Sequence, residues 1–384
     1  MTTNQHGLNS AGLSREASPP LVVISILNWK AGGIRRSAWG LSWDKSTESE
    51  SNMGEVARAA LASVVHKLRT VKGGHFIADS AIAAWVCGEG VAVAELRYGA
   101  RAIVFVNDYN GRVMYLWGEH DARITSVLDA VLRPGDTVLD IGANFGVAGL
   151  FACKKVGEKG KVHLFEPQPV VAQCLRTSIL INGYRQAVVH ECALSNRSGS
   201  AEMAIIDPDN LGRTTIVPEG KQVAGEKIRV RVENAGEFVR TLGCQQVSLI
   251  KIDVEGHEGV ILDSMRDWMR EVKPGVVLFE CHVGKDGFWS ESVVTLLSGM
   301  GYEFLAYDMR KYWSTHLYRV TKEINKTVYH DFVAVYPRGL KDDVSQQLRN
   351  MTQQRPKFEA PSAKPGSATL APQRTAMLQD KAVC

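Results

Sequence analysis

The feature that most constrains the fold is a short apolar segment that leads directly into a turn with two glycines. Residues 138–146 read Val-Leu-Asp-Ile-Gly-Ala-Asn-Phe-Gly, and an acidic residue, Glu166, follows the next apolar segment. Glycine adopts backbone conformations that other residues avoid and lets a ligand lie close to the main chain, and the helix after such a turn begins with unpaired N–H groups. A strand, a glycine turn and a helix in this order predict a site for a nucleoside-containing ligand.

The spacing of the glycines narrows the class of ligand. A dinucleotide site prefers a second glycine two residues after the first, where the backbone approaches a pyrophosphate. Asn144 occupies that position, which favours a cofactor without a pyrophosphate, such as S-adenosylmethionine, over a nicotinamide cofactor. We expect Glu166 to accept hydrogen bonds from both ribose hydroxyls, and Asp140 to organise the loop and face the methionine amino group. The loop residues predicted to bind the cofactor are Asp140, Gly142, Ala143, Asn144 and Gly146, together with Glu166.

Strand-like and helix-like segments alternate regularly around this loop. This alternation predicts an α/β fold with a doubly wound, mostly parallel sheet of about seven strands, which binds ligands at the carboxyl ends of its strands. Two turn-rich strands within residues 196–245, at 201–206 and 227–232, predict a β excursion near the site. The other predicted strands cover residues 138–141, 162–165, 187–189, 247–252, 276–279, 303–307 and 332–336, and the predicted helices cover 123–132, 147–156, 168–182 and 256–271.

The region before this domain is predicted to have two parts. Residues 1–51 form a partly disordered arm, in which residues 21–29 resemble the opening strand of family 2 glycosyltransferases. No acidic metal motif of that family follows, so a working glycosyltransferase domain is excluded and an apolar arm packing on the main domain is favoured. Residues 52–120 are a lead-in, with an amphipathic helix at 52–70. A β-meander follows at 91–117, where Asn110-Gly111 is a hairpin signal.

The predicted main domain covers residues 121–337, and a disordered tail covers residues 338–384. The tail is rich in Gln, Pro, Ser and Ala and lacks periodicity. It carries eight Lys or Arg and four Asp or Glu, so the tail accounts for the formal net charge of +4. A nearly neutral body argues against nucleic acid as a partner, because phosphate binding needs clustered positive charge on the folded domain.

The cysteines and the apolar segments point to a reducing compartment without membrane insertion. The seven cysteines are widely spaced and include no Cys-x-x-Cys pair, which suggests neither a zinc cage nor a disulfide framework. The first twenty residues lack a basic n-region, and the apolar run after them is too short to span a membrane. We therefore expect a cytoplasmic protein, whose oligomeric state the sequence does not predict.

A second group of polar residues stands where two further strands end. Asp253, Glu255 and His257 follow one apolar strand, and Glu280 and His282 follow the next strand. Since adjacent strands share an edge of the sheet, we expect an acidic pocket with two nearby histidines. Such a cluster suits proton abstraction or a divalent metal ion, and the spacing does not separate the two. A metal is compatible with the cluster but not required by it.

Two residues of this segment have a structural explanation as well. Carboxylates in the first turn of a helix complement the helix dipole, which explains Glu255 or Glu258 without catalysis. Lys251 lies within an apolar strand, and a buried ammonium group needs a partner. We expect a carboxylate of the same cluster to supply it.

These motifs, in this order, resemble the FkbM-type methyltransferases over residues 112–336. The most distinctive match is the run Ile-Lys-Ile-Asp-Val-Glu-Gly-His-Glu at residues 250–258. The loop at 138–146, Phe-Glu-Pro at 165–167, Cys-Ala-Leu-Ser at 192–195 and Leu-Phe-Glu at 278–280 also match. Residues 232–235 read Val-Glu-Asn-Ala, where the family usually shows a Thr-Leu-Asp pattern.

The resemblance implies a function and adds one cofactor residue. It implies a class I Rossmann-like fold and S-adenosylmethionine-dependent O-methylation of a hydroxyl, on a sugar, a glycan or a related natural product. Ala193, in the third-strand motif, is then a cofactor contact. Asp253 or His257 is the predicted general base, and Glu255, Glu280 and His282 are predicted to orient the hydroxyls. A decayed or non-catalytic S-adenosylmethionine-binding domain and a nicotinamide-dependent oxidoreductase are the competing interpretations.

Overall fold

The structure is a computed structural model that describes residues 78, 80–207, 210–212, 214–217, 223–307, 315–321 and 331–353. All of these residues belong to one compact unit. The predicted glycosyltransferase-like strand at 21–29, the predicted helix at 52–70 and residues 354–384 of the predicted tail lie outside the described residues.

The first half of the described chain runs through two short β-strands into the alternating core. Its elements in chain order are α1 (Ala81–Cys87), β1 (Val91–Glu95), β2 (Arg101–Phe105), α2 (Tyr109–Trp117), α3 (Ala122–Val131), β3 (Thr137–Ile141), α4 (Val147–Val156), β4 (Lys161–Phe165), α5 (Pro169–Asn182), β5 (Ala187–His190), β6 (Ala193–Ser195), β7 (Gly199–Ile205), β8 (Thr214–Ile216) and β9 (Glu226–Asn234).

The second half completes the core and adds one more helix at its end. Its elements are α6 (Ala235–Thr241), β10 (Leu249–Ile252), α7 (Glu258–Ser264), α8 (Arg266–Val272), β11 (Val276–Glu280), α9 (Ser292–Gly299), β12 (Glu303–Tyr307), β13 (Leu317–Arg319), β14 (Asp331–Val335), α10 (Asp342–Met351) and β15 (Thr352–Gln353). Short 3₁₀ turns cover Phe288–Ser290 and Pro337–Gly339.

The central sheet has nine strands in the order β15-β13-β12-β14-β11-β10-β3-β4-β5. Strands β11, β10, β3, β4 and β5 pair in parallel, whereas β14 is antiparallel to both of its neighbours, β11 and β12. The predicted α/β fold with a mostly parallel sheet is therefore confirmed: the seven predicted strands are contiguous, and the two further strands, β13 and β15, extend the sheet at the edge beyond β12. A separate sheet of four strands, β6-β9-β7-β8, contains the predicted β excursion.

Side chains of the central strands alternate between two hydrophobic layers, one on each face of the sheet. In β10, Ile250 and Ile252 pack with Leu262 and Trp268 on one face. Leu249 packs with Leu128 and Cys153 on the other face. By this alternation Lys251 shares the face of Leu249, and it pairs in register with Asp140 of β3. A charged pair therefore lies within the sheet near the carboxyl ends of two central strands.

The predicted β-meander at 91–117 is wrong in its second half. Strands β1 and β2 form a hairpin whose turn lies at residues 96–100, and Asn110-Gly111 lies inside helix α2. The carboxylate of Asp108 accepts a hydrogen bond from the N–H of Gly111 at 2.8 Å and caps this helix. Gly111 also packs closely, because a Cβ there would lie 1.9 Å from the carbonyl oxygen of Phe105. A glycine is therefore required at this position by a close backbone contact and not by a turn.

The structure also differs from the prediction at the start of the tail and in one helix. Residues 342–353 are ordered as α10 and β15, because Val344 and Leu348, four residues apart, are buried in the core and β15 pairs with β13. The helix predicted at 256–271 is two helices, α7 and α8, that meet at Met265. No helix in the described ranges is long and apolar enough to cross a membrane.

Candidate active site

A cavity of about 350 Å³ opens at the carboxyl ends of β3, β4, β10 and β11. This volume lies within the range of small-molecule sites, and the position is where α/β sheets bind ligands. Helix α2 and the β excursion form another part of the wall, through Asn110, Met114, Met203 and residues 210–212 of the loop between β7 and β8. The β excursion therefore contributes directly to the cavity, as the sequence predicted.

The glycine loop after β3 adopts left-handed backbone conformations at Gly142, Asn144 and Gly146, with φ of 78°, 50° and 89°. The N–H groups of Gly142 and Ala143 both donate to the carbonyl oxygen of Phe165 at 3.0 Å, which ties the loop to β4. Asparagine tolerates this conformation better than most residues. All four loop residues, Gly142, Ala143, Asn144 and Gly146, were predicted to bind the cofactor, and the first three line the cavity.

The two glycines are needed for contacts within the protein. A Cβ on Gly142 would lie 2.0 Å from the carbonyl oxygen of Asp253, and a Cβ on Gly146 would lie 2.6 Å from Cδ1 of Leu175. Close packing against the residue after β10 and against α5 therefore requires both glycines. Close approach of a ligand to the glycine backbone stays a prediction.

Glu166 is buried at the end of β4, with 4% of its surface exposed, and lines the cavity. Its Oε2 accepts a hydrogen bond from the N–H of Asn144, and its Oε1 accepts one from the N–H of Gln168, both at 2.9 Å. Burial raises the pKa of this carboxyl to about 7, although the two N–H donors oppose the shift. The two donors fix the carboxylate and leave further lone pairs for a ligand in the cavity.

Asp140 and Lys251 form a buried ion pair beside the loop. Nζ of Lys251 lies 3.5 Å from Oδ1 of Asp140 and 3.4 Å from Oδ2 of Asp253, and donates to the carbonyl oxygen of Gly142 at 2.7 Å. The two carboxylates outweigh burial and raise the pKa of Lys251. The predicted carboxylate partner of Lys251 is therefore confirmed. Asp140 does not itself line the cavity, and burial raises its pKa.

The segment after β10 places Asp253, Glu255 and His257 on the cavity wall. Nε2 of His257 lies 2.9 Å from Oγ of Ser195, and burial lowers the pKa of this imidazole. Glu258 instead points into its own loop, where its Oε1 accepts hydrogen bonds from the N–H groups of Val254 and Gly256 at 2.9 and 3.3 Å. Glu258 is therefore a structural residue, in line with the capping alternative.

Glu280, at the end of β11, also lines the cavity, and its pKa is raised to about 9. Burial is the main cause, and the carboxylates of Asp253, Glu255 and Asp331 add to it. Glu280 therefore carries a proton at neutral pH and can donate a hydrogen bond. His282 does not line the cavity; its side chain is mostly exposed, with Nε2 at 3.7 Å from Oε1 of Glu280. Ala193 lines the cavity from β6.

Several residues that the sequence analysis missed complete the same end of the cavity. Asp121, Arg123 and Asp331 line it as an ion-paired group, in which Nε of Arg123 lies 2.9 Å from Oδ1 of Asp121 and its Nη2 lies 3.2 Å from Oδ2 of Asp331. His120 lines it as well, with Nε2 at 2.8 Å from Oδ1 of Asn110. Asp331 could have been found from the sequence, because it is the first residue of an antiparallel strand, and such a strand begins at the edge where the parallel strands end. It pairs in register with Glu280.

The cavity is rich in acidic groups but has no arrangement typical of a metal centre. Among the residues that the structure describes, no group of three or more His, Cys, Asp or Glu side chains could hold a metal ion. The permanent cations that line the cavity are Arg123 and Lys251. Even with Glu280 protonated, the other acidic side chains outnumber them; these are Asp121, Glu166, Asp253, Glu255 and Asp331.

The strand order and the position of the cavity define a class I methyltransferase fold. The model of the methyltransferase FkbM domain matches residues 140–320. The chain is 32% identical to "31-O-demethyl-FK506 methyltransferase FkbM" of Streptomyces tacrolimicus over 221 residues, which are 49% of this chain and 81% of the relative. It is 27% identical to "Methyltransferase sdnD" of Sordaria araneosa, over 37% of this chain and 64% of that relative. The chain belongs to the FkbM methyltransferase family.

Among solved structures, fibrillarin of Aeropyrum pernix with bound S-adenosyl-L-methionine is similar to this chain with a TM-score of 0.34 and 13% identity. The similarity covers 64% of this chain and 94% of the fibrillarin chain.

Proposed function

We propose that this methyltransferase transfers the methyl group of S-adenosylmethionine to a hydroxyl oxygen of a sugar, a glycan or a related hydroxylated natural product. The observation that carries the proposal is that a single cavity is lined both by the predicted cofactor residues and by the predicted ionisable residues. The glycine loop and Glu166 line one part, and Asp253, His257 and Glu280 line another.

The residues present fit S-adenosylmethionine. Glu166 is held by two backbone N–H groups and has free lone pairs for the ribose hydroxyls. Ala193 lines the same cavity and leaves room for the base, as expected for a cofactor contact. The excess of carboxylates over cations in the cavity suits a ligand that carries sulfonium and ammonium charges. When bound, S-adenosylmethionine supplies an electrophilic methyl group.

The other end of the cavity supports removal of a proton from an alcohol. A hydroxyl oxygen that forms a bond to carbon must lose its proton, and a positioned imidazole with a pKa near or below neutrality is a suitable acceptor. His257 lines the cavity and its pKa is lowered, whereas the carboxylate of Asp253 is already paired with Lys251. We therefore assign His257 as general base and Asp253 as a residue that orients the acceptor.

Neighbouring groups suit the binding of a hydroxylated acceptor. Glu280, protonated at neutral pH, can donate a hydrogen bond to an acceptor oxygen, and Asp331 and Asn110 can accept or donate others. Glu255 lines the same wall. Nε2 of His282 lies 3.7 Å from Oε1 of Glu280, so we assign it a supporting role there. The name of the Streptomyces relative, a 31-O-demethyl-FK506 methyltransferase, also favours transfer to oxygen.

The test is methylation by the purified full-length protein with S-adenosylmethionine and two kinds of acceptor: neutral methyl glycosides and 31-O-demethyl-FK506. We expect a product that has gained one methyl group as an ether, identified by mass spectrometry and NMR. His257→Gln should lower kcat about 100-fold or more while S-adenosylmethionine still binds. Methylation at nitrogen or carbon, or full turnover by His257→Gln, would contradict the corresponding part of the proposal.

A further inference from the structure

Ser195 lies next to the histidine that we assign as base, and it is held firmly in place. Its Oγ is 2.9 Å from Nε2 of His257. Ser195 is the last residue of β6, is buried, and pairs in register with Asn234 of the neighbouring parallel strand β9. Helix α7, which begins directly after His257, packs against β6. Both partners of the contact are therefore positioned by regular secondary structure.

A second contact of Ser195 indicates which residue donates in the hydrogen bond between Ser195 and His257. Oγ of Ser195 lies 3.4 Å from Oδ1 of Asn196. An amide oxygen only accepts hydrogen bonds, and a serine hydroxyl has a single proton to donate. If that proton is directed to Asn196, the hydroxyl oxygen is left to accept a hydrogen bond from His257. Nε2 of His257 then carries the proton, and the lone pair is on Nδ1.

We propose that Ser195, together with Asn196, is a positioning residue that fixes His257 as the Nε2–H tautomer, so that Nδ1 takes the proton of the acceptor hydroxyl. As the oxygen forms its bond to the methyl carbon and the carbon–sulfur bond breaks toward sulfur, the hydroxyl proton moves to Nδ1. The resulting imidazolium keeps its Nε2–H bonded to Ser195 and later releases the Nδ1 proton to solvent. The kinetic role rests on the proposed function, whereas the tautomer does not.

The surroundings of His257 agree with a neutral imidazole before the reaction. Burial lowers its pKa. Titratable and charged groups from several elements share the cavity wall with it: Asp253 and Glu255 on its own segment, Lys251 on β10, Glu280 on β11, Glu166 after β4, Asp331 on β14, and His120, Asp121 and Arg123 at the start of α3. Because the tautomer of a histidine is set by the hydrogen bond of its other ring nitrogen, the contact with Ser195 decides which nitrogen can act as base.

The tautomer can be measured without any acceptor. We would label the full-length protein with ¹⁵N-histidine and assign the signals of His257 by their loss in His257→Gln. At neutral pH the wild type should show the Nε2–H tautomer, Ser195→Ala should show a mixture, and Ser195→Thr, which keeps the hydroxyl, should resemble the wild type. An Nδ1–H tautomer in the wild type, or an unchanged spectrum in Ser195→Ala, would overturn the proposal.

Kinetic measurements on Ser195 variants test this proposal separately from the proposed function. Ser195→Ala should lower kcat about 10- to 100-fold, as loss of a supporting hydrogen bond typically does, while the acceptor KM changes by roughly two-fold or less. The ascending limb of its pH profile should move to lower pH, because the imidazolium loses an acceptor for its Nε2–H. Ser195→Thr should recover most of the activity. Ser298→Ala, a change at an exposed serine on α9, is the matched control and should behave as wild type.

Two outcomes overturn different claims. If Ser195→Ala keeps the kcat and the pH profile of the wild type while His257→Gln is inactive, the positioning role is wrong and His257 remains the base. If His257→Gln also keeps full turnover, the assignment of the base in the proposed function is wrong, and the positioning role falls with it.

Discussion

The ammonium group of Lys251 donates a hydrogen bond to the carbonyl oxygen of Gly142 across 2.7 Å. The same ammonium lies within ion-pair distance of Asp140 and Asp253. The ammonium therefore has three partners: the glycine loop through a hydrogen bond, and the strand before it and the acidic segment after β10 through ion pairs. One buried cation connects the proposed cofactor end of the cavity to the proposed acceptor end, which explains why a lysine occupies an otherwise apolar strand.

Lys251→Met should destabilise the protein, because it leaves the buried carboxylate of Asp140 without its cation. Removing one partner of a buried ion pair typically costs about 3–5 kcal/mol of unfolding free energy. Urea unfolding at neutral pH measures the change. The double variant Lys251→Met with Asp140→Asn should recover part of the loss, since the unpaired charge is gone. A single variant within about 0.5 kcal/mol of wild type, the range of ordinary surface changes, would show that the pair is not needed.

Glu280 should make the ligand-free protein less stable as the pH rises. Its pKa is raised to about 9 from an ordinary value of 4.5, so the folded state binds the proton more tightly than the unfolded state does. The unfolding free energy then decreases as the pH increases from about 4.5 to about 9. Glu166, Asp331, Asp140 and the buried Cys153, Cys174 and Cys281 also have raised pKa values and act with the same sign. The contribution of Glu280 is therefore the difference between the wild type and Glu280→Gln, measured between the pKa of about 7 of Glu166 and the pKa of about 9 of Glu280. Glu280→Gln should flatten the decrease there, and an unchanged slope would contradict this explanation.

Asp108 should hold the wall of the cavity in place. Its buried carboxylate accepts hydrogen bonds from the N–H of Gly111 in α2 and the N–H of Leu211 in the β excursion, at 2.8 and 2.6 Å. Asp108→Asn replaces one acceptor with an amide NH₂, so one buried N–H loses its partner at a cost of about 1–3 kcal/mol. Thermal unfolding should detect it. Asp129→Asn, at an exposed aspartate, is the control, and an equal effect in both variants would refute the special role of Asp108.

The charge of the cavity should select against anionic acceptors. More carboxylates than cations line it, so an acceptor with a carboxylate is repelled where a neutral acceptor is not. For two glycosides that differ only in a hydroxymethyl group replaced by a carboxylate, kcat/KM should be at least about ten-fold lower for the acid, a difference of about 1.4 kcal/mol. Added salt should narrow the gap. Equal or better use of the acidic glycoside would contradict this view of the cavity.

The sequence predicts the central sheet well, because its strands are apolar runs of uniform length between helices. The prediction fails where the same pair of residues is compatible with two kinds of local structure. Asn110-Gly111 is typical of hairpins, but here Asp108 caps a helix that contains both residues. The reason for the glycine is its close contact with the backbone of Phe105, which only the three-dimensional structure shows. Helix α10 as a whole falls in the predicted disordered tail, because its apolar stripe consists of only two buried residues, Val344 and Leu348.

The residues of the candidate site also fall into two groups: those that the sequence predicts and those that only tertiary packing brings to the cavity. Residues that directly follow central parallel strands, such as Glu166, Asp253 and Glu280, could be found because the end of a strand fixes their position. His120 and Arg123 lie on or beside α3, and their approach to the cavity depends on how that helix packs. Ser195 lies at a strand end, but only its distance to His257, a long-range contact, distinguishes it from other buried serines.

The central claim is that Glu166 belongs to an S-adenosylmethionine site. Titration calorimetry of the purified full-length protein with S-adenosylmethionine and with NAD tests it, with Glu166→Ala beside the wild type and the exposed Glu158→Gln as control. We predict that the wild type and the control bind S-adenosylmethionine but not NAD, and that Glu166→Ala binds at least about ten-fold more weakly, since hydrogen bonds to a charged group contribute about 1.5–3 kcal/mol. Binding of NAD, or equal S-adenosylmethionine affinity in all three proteins, would contradict the account.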